Sequence, residues 1–172
     1  MKYILSKILP IIAKIYLHRY KPVIIAVTGN VGKTSTKEAI GAVMKAKYTV
    51  RMNGGNLNNE LGVPLAIIGE WTHQYYSNGS SIFFWLQVIF EGVLRAYVPK
   101  QKYPQVLVLE YGVDHPGDIK KVVENFRPDV GVVTAVGKVP VHVEYFESSE
   151  KLAEEKSNLI KYLKPNEFAI LN

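Results

Sequence analysis

Cysteine is absent from this 172-residue chain, which excludes disulfides and thiolate metal sites. The absence fits a reducing cytoplasm without requiring one. The N-terminus lacks the uninterrupted apolar core and small-residue cleavage site of a signal peptide, and is too charged for a membrane span. Internal repeats and low-complexity tracts are missing as well. What remains has the makings of one domain: 48% of the residues are hydrophobic, enough for a real core. A net charge of +6 suits a polyanion, whether nucleotide, nucleic acid or anionic lipid, and does not choose among them.

Residues 23–36 carry the strongest functional signal, Val-Ile-Ile-Ala-Val-Thr-Gly-Asn-Val-Gly-Lys-Thr-Ser-Thr. A β-branched run ends in Gly29, and Gly32-Lys33-Thr34 opens a helical pattern. Such a turn aims backbone N–H groups at one point, where the helix dipole also favours negative charge. Gly29 and Gly32 let the backbone curl with positive φ close to a phosphate. Lys33 adds a point charge for the outer phosphates, and the Thr34 hydroxyl can ligate magnesium. Gly29, Asn30, Val31, Gly32, Lys33, Thr34 and Ser35 are therefore the candidate nucleotide-phosphate site. The general loop G-x-x-x-x-G-K-[ST] needs a glycine where this chain has Val27, so the loop here is a shorter form.

The N-terminal residues 1–21 place Ile4, Leu5, Ile8, Ile12, Ile15 and Tyr16 at roughly helical spacing among Lys2, Lys7, Lys14 and Arg19. Pro10 kinks or divides the segment. It either docks on the rest of the protein or lies on a membrane surface as a basic amphipathic helix.

Beyond the loop, strands and helices alternate. Ile40, Val43 and Met44 form the apolar face of a helix running from Lys33. Residues 48–52 read as a strand, stopped by Asn53-Gly54-Gly55, and 60–71 as a helix with Pro64 in its first turn. The unbroken apolar runs at 106–110 and 130–136 have the character of strands buried on both faces of a parallel sheet. Ile119, Val122, Val123 and Phe126 make a helical stripe. Ser148 can cap a helix through Leu163, and 168–171 is a last strand. The order indicates an α/β fold, an open and mostly parallel sheet with flanking helices. Residues 72–103 fit this alternation badly and read as an apolar insertion, with a loop at 78–81 and an aromatic-rich helix at 82–98.

Ligands of open α/β sheets bind beyond the carboxyl ends of the strands. Glu110 ends its strand at that edge, beside the glycine loop, where a carboxylate can hold magnesium. His142 follows the 130–136 strand and could reach the same edge; taken alone it reads rather as a loop residue without chemistry. Lys156 falls mid-stripe among Leu152, Leu159, Ile160 and Leu163. Its ammonium must snorkel, find an anion or lose its charge. Burial lowers a lysine pKa from roughly 10.4, and a neutral amine can add carbon dioxide to become a carbamate, an anionic oxygen ligand.

Four ordered motifs resemble the Mur ligases: Thr28-Gly-Asn-Val-Gly-Lys-Thr-Ser-Thr-Lys-Glu38, Gly55-Asn-Leu-Asn-Asn-Glu-Leu-Gly-Val-Pro64, Leu109-Glu-Tyr-Gly-Val-Asp-His-Pro-Gly-Asp-Ile119 and His142-Val-Glu-Tyr-Phe146. Within that family the chain is most similar to the branch that adds D-alanyl-D-alanine to UDP-N-acetylmuramoyl-tripeptide. The resemblance covers 23–172 outside 72–103, and implies a partial central ATPase domain, P-loop NTPase-like, at 22–172. It implies an ATP- and magnesium-dependent ligase that phosphorylates a carboxylate and lets an amine attack the acyl phosphate. Carried over by position, Lys33 contacts phosphates, Thr34 and Glu110 hold one magnesium, and His142 with carbamylated Lys156 holds a second. Lys33, Glu110, His142 and Lys156 are thus the expected catalytic set. Asn56, Asn59 and His115 match motif positions near the substrate cleft.

Two departures stand out. Gly137-Lys-Val-Pro-Val-His142 is longer than the family's Gly-Pro-x-His. The chain also ends within the central domain and leaves no room at residues 1–21 for a uridine-nucleotide domain. The expectation is the ATP-binding part of a ligase of peptidoglycan precursor synthesis. Its partners would be a UDP-muramoyl-peptide-like substrate and remaining ligase domains on the same or another chain. Its expected setting is the cytoplasm or the membrane surface, with no nucleic acid. The alternatives are a non-catalytic nucleotide-binding or scaffold protein derived from such a ligase, and an unrelated P-loop ATPase or GTPase.

Overall fold

A computed structural model describes residues 1–97, 102–136 and 145–172. The elements follow in the order α1 Lys2–Tyr20, β1 Val23–Thr28, α2 Lys33–Lys45, β2 Val50–Met52, α3 Gly62–Ile68, α4 Thr72–Asn78, α5 Ile82–Tyr97, β3 Val106–Glu110, α6 Asp118–Asn125, β4 Val130–Val133, α7 Ser149–Lys161 and β5 Phe168–Leu171. The five strands form one parallel sheet in the order β2-β3-β1-β4-β5. The most continuous apolar runs, β1 and β3, lie adjacent in its interior. A strand flanked on both faces is apolar along its length: Val106–Leu109 of β3 are apolar, and all five side chains, with Glu110 at the carboxyl end, are buried.

The two faces of the sheet are covered unequally. Ile24, Ala26, Leu107 and Leu109 join the large core that includes residues of α1, α3, α5, α6 and α7. Ile25, Val27, Val106, Val108 and Val132 make a smaller cluster against Ile40 and Met44 of α2. Val43, expected on the apolar face of α2, is instead 73% exposed; Lys37, Ile40, Gly41 and Met44 form the face turned to the sheet. Gly41 lets Met52 pack close to the helix: a Cβ there would stand 2.1 Å from the Met52 sulfur, and that side chain would have to move.

The N-terminal segment docks. Leu5, Leu9, Ile12, Ala13 and Tyr16 of α1 are buried in the large core. Pro10 neither divides nor stops the helix. The Tyr16 hydroxyl donates to the Gly92 carbonyl of α5 at 2.8 Å, and Arg19 donates to the Ala96 carbonyl.

Several expected boundaries shift. The helix at 60–71 is only Gly62–Ile68, because Asn59 accepts from the Leu61 and Gly62 amides and starts it late. The segment at 72–78 is a helix of its own, α4, whose short polar run carries no apolar stripe. The strand expected at 130–136 ends at Val133, where Thr134 turns its N–H to the Thr28 carbonyl. Residues 48–49 lie outside β2.

Candidate active site at the carboxyl edge of the sheet

The register places Val27 of β1 opposite Glu110 of β3, and Thr28 opposite Val133 of β4. Three strand ends therefore meet at one edge, and the glycine loop between β1 and α2 sits above them. Gly29 has φ 148° and Gly32 has φ 84°, values that L side chains rarely adopt. At Gly29 space is also closed, since a Cβ would lie 1.9 Å from the Thr134 hydroxyl. That hydroxyl donates to the Val31 carbonyl at 2.7 Å and clips the loop to β4.

The loop's amides divide into two groups. Those of Asn30 and Val31 donate to the Ala135 carbonyl at 3.0 and 3.4 Å. The amides of Lys33, Thr34 and Ser35 open the first turn of α2, which has no earlier carbonyl to receive them and no side-chain cap. These amides and the positive end of the helix dipole form the anion cradle. The Lys33 ammonium donates to the Asn30 carbonyl at 3.2 Å, which holds it over the loop. The Asn30 side-chain nitrogen is buried with no hydrogen-bond partner among the described residues, a donor suited to an anion.

Beside the cradle, the Thr34 hydroxyl donates to Glu110 Oε2 at 2.9 Å. Glu110 is 3% exposed, and Asn58 donates to its other carboxylate oxygen at 3.1 Å. Asn53 fixes the backbone beneath. Its side chain accepts from the Glu110 N–H at 2.8 Å and donates to the Glu110 and Leu57 carbonyls at 3.0 and 2.7 Å. The buried Lys37 ammonium in turn donates to the Asn53 carbonyl at 2.6 Å. A hydroxyl and a carboxylate held this way are hard oxygen donors, the type magnesium prefers, so the residues fit that ion. Among the described residues no three His, Asp or Glu side chains converge into a larger metal cluster.

Lys156 is buried on the inner face of α7, with Leu152, Glu155 and Leu159. Burial, and then the nearby Lys33 ammonium, depress its pKa from 10.5 to about 8, against a smaller opposing pull from Glu155. The Lys33 effect places Lys156 within electrostatic reach of the loop. Glu155 has separate work: its carboxylate accepts from the Ile119 amide at 2.9 Å in the first turn of α6. His142 lies outside the described residues.

The three residues matched to a substrate cleft separate. Asn59 and His115 line one hollow of about 260 Å³, together with Gly112 and Asp114. The His115 ring lies 4.4 Å from the Tyr145 ring, tilted by 49°, and its Nδ1 is 3.8 Å from Asp118. Asn56 does not line it; its N–H donates to the Tyr76 hydroxyl of α4 at 2.6 Å, tying the insertion to this loop. Sequence reasoning passed over Asn53, Asn58, Thr134 and Lys37. Four asparagines in seven positions, 53–59, were the available signal for a hydrogen-bonded loop rather than a simple stop.

Residues 94–172 match the Mur ligase middle domain. A UDP-N-acetylmuramoyl-tripeptide–D-alanyl-D-alanine ligase from Bacillus subtilis is 31% identical over 153 residues, 89% of this chain and 26% of that protein. The ligase of the same name from Rickettsia prowazekii is 28% identical over 148 residues, 86% of this chain and 26% of its own length. The crystal structure of MurF ligase from Thermotoga maritima in complex with ADP superposes with a TM-score of 0.72 at 30% identity, covering 96% of this chain and 31% of that one. The chain thus spans about a quarter of the length of the curated relatives it matches.

Proposed function

From the premise that this chain belongs to the Mur ligase family, we propose that it is the ATP-binding part of an ATP-dependent amide-bond ligase of peptidoglycan precursor synthesis. The observation that carries the reading is the Thr34–Glu110 pair, 2.9 Å apart, against the open first turn of α2. In this reading the amides of Gly32, Lys33, Thr34 and Ser35 hold the β- and γ-phosphates, and Lys33 moves from the Asn30 carbonyl onto them. Magnesium on Thr34 and Glu110 would neutralise phosphate charge. A substrate carboxylate oxygen attacks the γ-phosphorus, the bond to ADP breaks, and an acyl phosphate forms. An amine then attacks the acyl carbon, phosphate leaves, and the amine gives up a proton.

Lys156 completes the proposal. At a pKa of about 8 a useful fraction of its amine is neutral near physiological pH. The ammonium first gives up one proton; addition of carbon dioxide to the neutral amine then forms an N–C bond, releases a second proton and leaves an anionic oxygen donor beside Lys33. His142 joins it on the strength of its motif alone. The acid substrate is a UDP-muramoyl peptide, with Asn59 and His115 in the hollow nearest the cleft. Acid and amine recognition draw on regions that the relatives have outside the matched quarter, on this polypeptide or another. A cytoplasmic setting follows from the need for ATP.

Titration calorimetry with magnesium–ATP tests the site. Lys33→Ala removes a charge-assisted contact and is expected to cost about 1.5–3 kcal/mol, roughly 10- to 150-fold in affinity. Glu110→Gln should abolish the gain in affinity that magnesium gives. Equal nucleotide binding by wild type and Lys33→Ala would sink the assignment.

A further inference from the structure

Among the described helices, α5 carries large apolar side chains on both its sides. Phe84, Trp85, Val88, Gly92 and Ala96 are buried against the core. Ile82, Phe83, Leu86, Phe90, Val93, Leu94 and Tyr97 point outward, with Phe83 78% and Phe90 69% exposed. Their spacing puts them on one continuous strip, and a shallow hollow of about 510 Å³ between Leu86, Phe90, Val93 and Leu94 belongs to it. The polar residues of α5 are confined to one flank and satisfy one another. Gln87 donates to Glu91 at 2.7 Å, Arg95 pairs with Glu91, and the Arg95 guanidinium lies over the Trp71 ring. No charge faces outward from the strip itself. An exposed apolar strip of this kind marks an interaction surface.

The neighbouring helix decides what covers it. α1 packs on α5 through Tyr16 and Arg19, and Ile12 is a near neighbour of Gly92. Its outer side adds Ile4 and Ile11, 58% and 63% exposed. Exposed Lys7 and Lys14 stand seven residues apart and therefore share one side of the helix, and exposed Lys21 follows at its end. The chain contains no acidic residue before Glu38. Lys2 meets Glu60 at 3.6 Å, but none of Lys7, Lys14 and Lys21 has a carboxylate within ion-pair distance among the described residues.

We propose that the outer faces of α1 and α5 form a docking surface for an anionic phospholipid bilayer. The aromatic and aliphatic side chains of α5 enter the headgroup–acyl boundary, and the lysines of α1 meet the lipid phosphates. Charge complementarity selects this occupant, because exposed lysines without carboxylate partners stand on the helix packed beside the apolar strip, and neither outer face offers an unpaired anion to a cationic partner. Its geometry selects contact along the surface rather than across it. At 16 residues α5 is about 24 Å long, against a hydrocarbon core of about 30 Å. No described helix is long and apolar enough to cross a membrane. The patch lies on the face of the sheet opposite α2, so it involves none of the phosphate-loop residues and stands or falls independently of the proposed activity.

Co-sedimentation of the full chain with vesicles of phosphatidylglycerol and phosphatidylcholine, against phosphatidylcholine alone, tests this. Binding is expected to the anionic vesicles only and to weaken with salt. It should fall at least tenfold in Phe83→Ser/Phe90→Ser and in Lys7→Glu/Lys14→Glu, all exposed positions. Lys45→Glu/Lys47→Glu, with the same charge change beside α2, should retain it. Three outcomes overturn the proposal: no binding to anionic vesicles, binding that survives both α1 and α5 variants, or self-association lost in Phe83→Ser/Phe90→Ser without vesicle binding.

Discussion

Replacing Lys156 by Met offers a quantitative test of the cleft's electrostatics. The folded chain holds this amine at a pKa of about 8, whereas the unfolded chain holds it at its ordinary 10.5. Between those values the unfolded state binds more protons than the folded state, so stability rises with pH across the window. Below about pH 8 both states carry the ammonium and folding bears the full cost, roughly 3 kcal/mol from the interval between the two values. Burial is the first cause and repulsion from Lys33 the second, so a thioether of similar length removes both. Lys156→Met is therefore expected to be more stable than wild type at pH 7. For a chain of this length the gain corresponds to a melting temperature about 5–10 °C higher. The gap should close as the pH approaches 10, where the wild-type amine is neutral in the folded state. Thermal melts followed by circular dichroism, in buffers freed of carbon dioxide, measure it. A variant that melts with the wild type at every pH from 7 to 10 would refute the account of Lys156 as a buried, repelled cation.

Two further substitutions probe the scaffold. Gly29→Ala places a methyl 1.9 Å from the Thr134 hydroxyl at a φ of 148°, so the loop must shift; a destabilisation of about 1–3 kcal/mol with loss of ATP binding is expected from melts and calorimetry. Unchanged ATP affinity in that variant would show that the loop's curl is not the binding feature. Tyr16→Phe deletes the 2.8 Å bond to the Gly92 carbonyl and should cost about 0.5–1.5 kcal/mol in urea unfolding. A cost near zero would mean that this contact between α1 and α5 contributes nothing to docking.

The parts of the fold legible in the sequence are those where local chemistry and tertiary role agree. β1 and β3 are unbroken apolar runs because both faces are covered, and the glycine loop announces itself because its backbone geometry admits few other residues. Glu110 could be placed beside Thr34 because parallel sheets bring strand ends to one edge. Val43 misled because helical spacing marks a stripe without saying which side of it the sheet will take; Gly41 and Lys37 hold the centre instead. Asn53 was hidden for a related reason. An asparagine beside two glycines is ordinary turn composition, and only pairing across 57 positions reveals that its side chain completes β3. α4 has no apolar stripe to read, and the late start of α3 depends on Asn59 finding two amides.

The Asn53–Asn58 segment has a consequence for how ligands communicate. Asn53 grips the backbone of Glu110 from both sides, and Asn58 grips its carboxylate, while Asn59 of the same loop lines the hollow beside His115. A ligand that settles in the hollow and displaces this loop must strain or tighten bonds that orient the carboxylate facing Thr34. On the proposed reading linkage would work in both directions: whatever factor an occupant of the hollow applied to the affinity of magnesium at Thr34 and Glu110, the ion would apply to the occupant. The two sites share a few short polar contacts rather than a moving domain, and order of addition would then change the path of assembly but leave its total free energy the same.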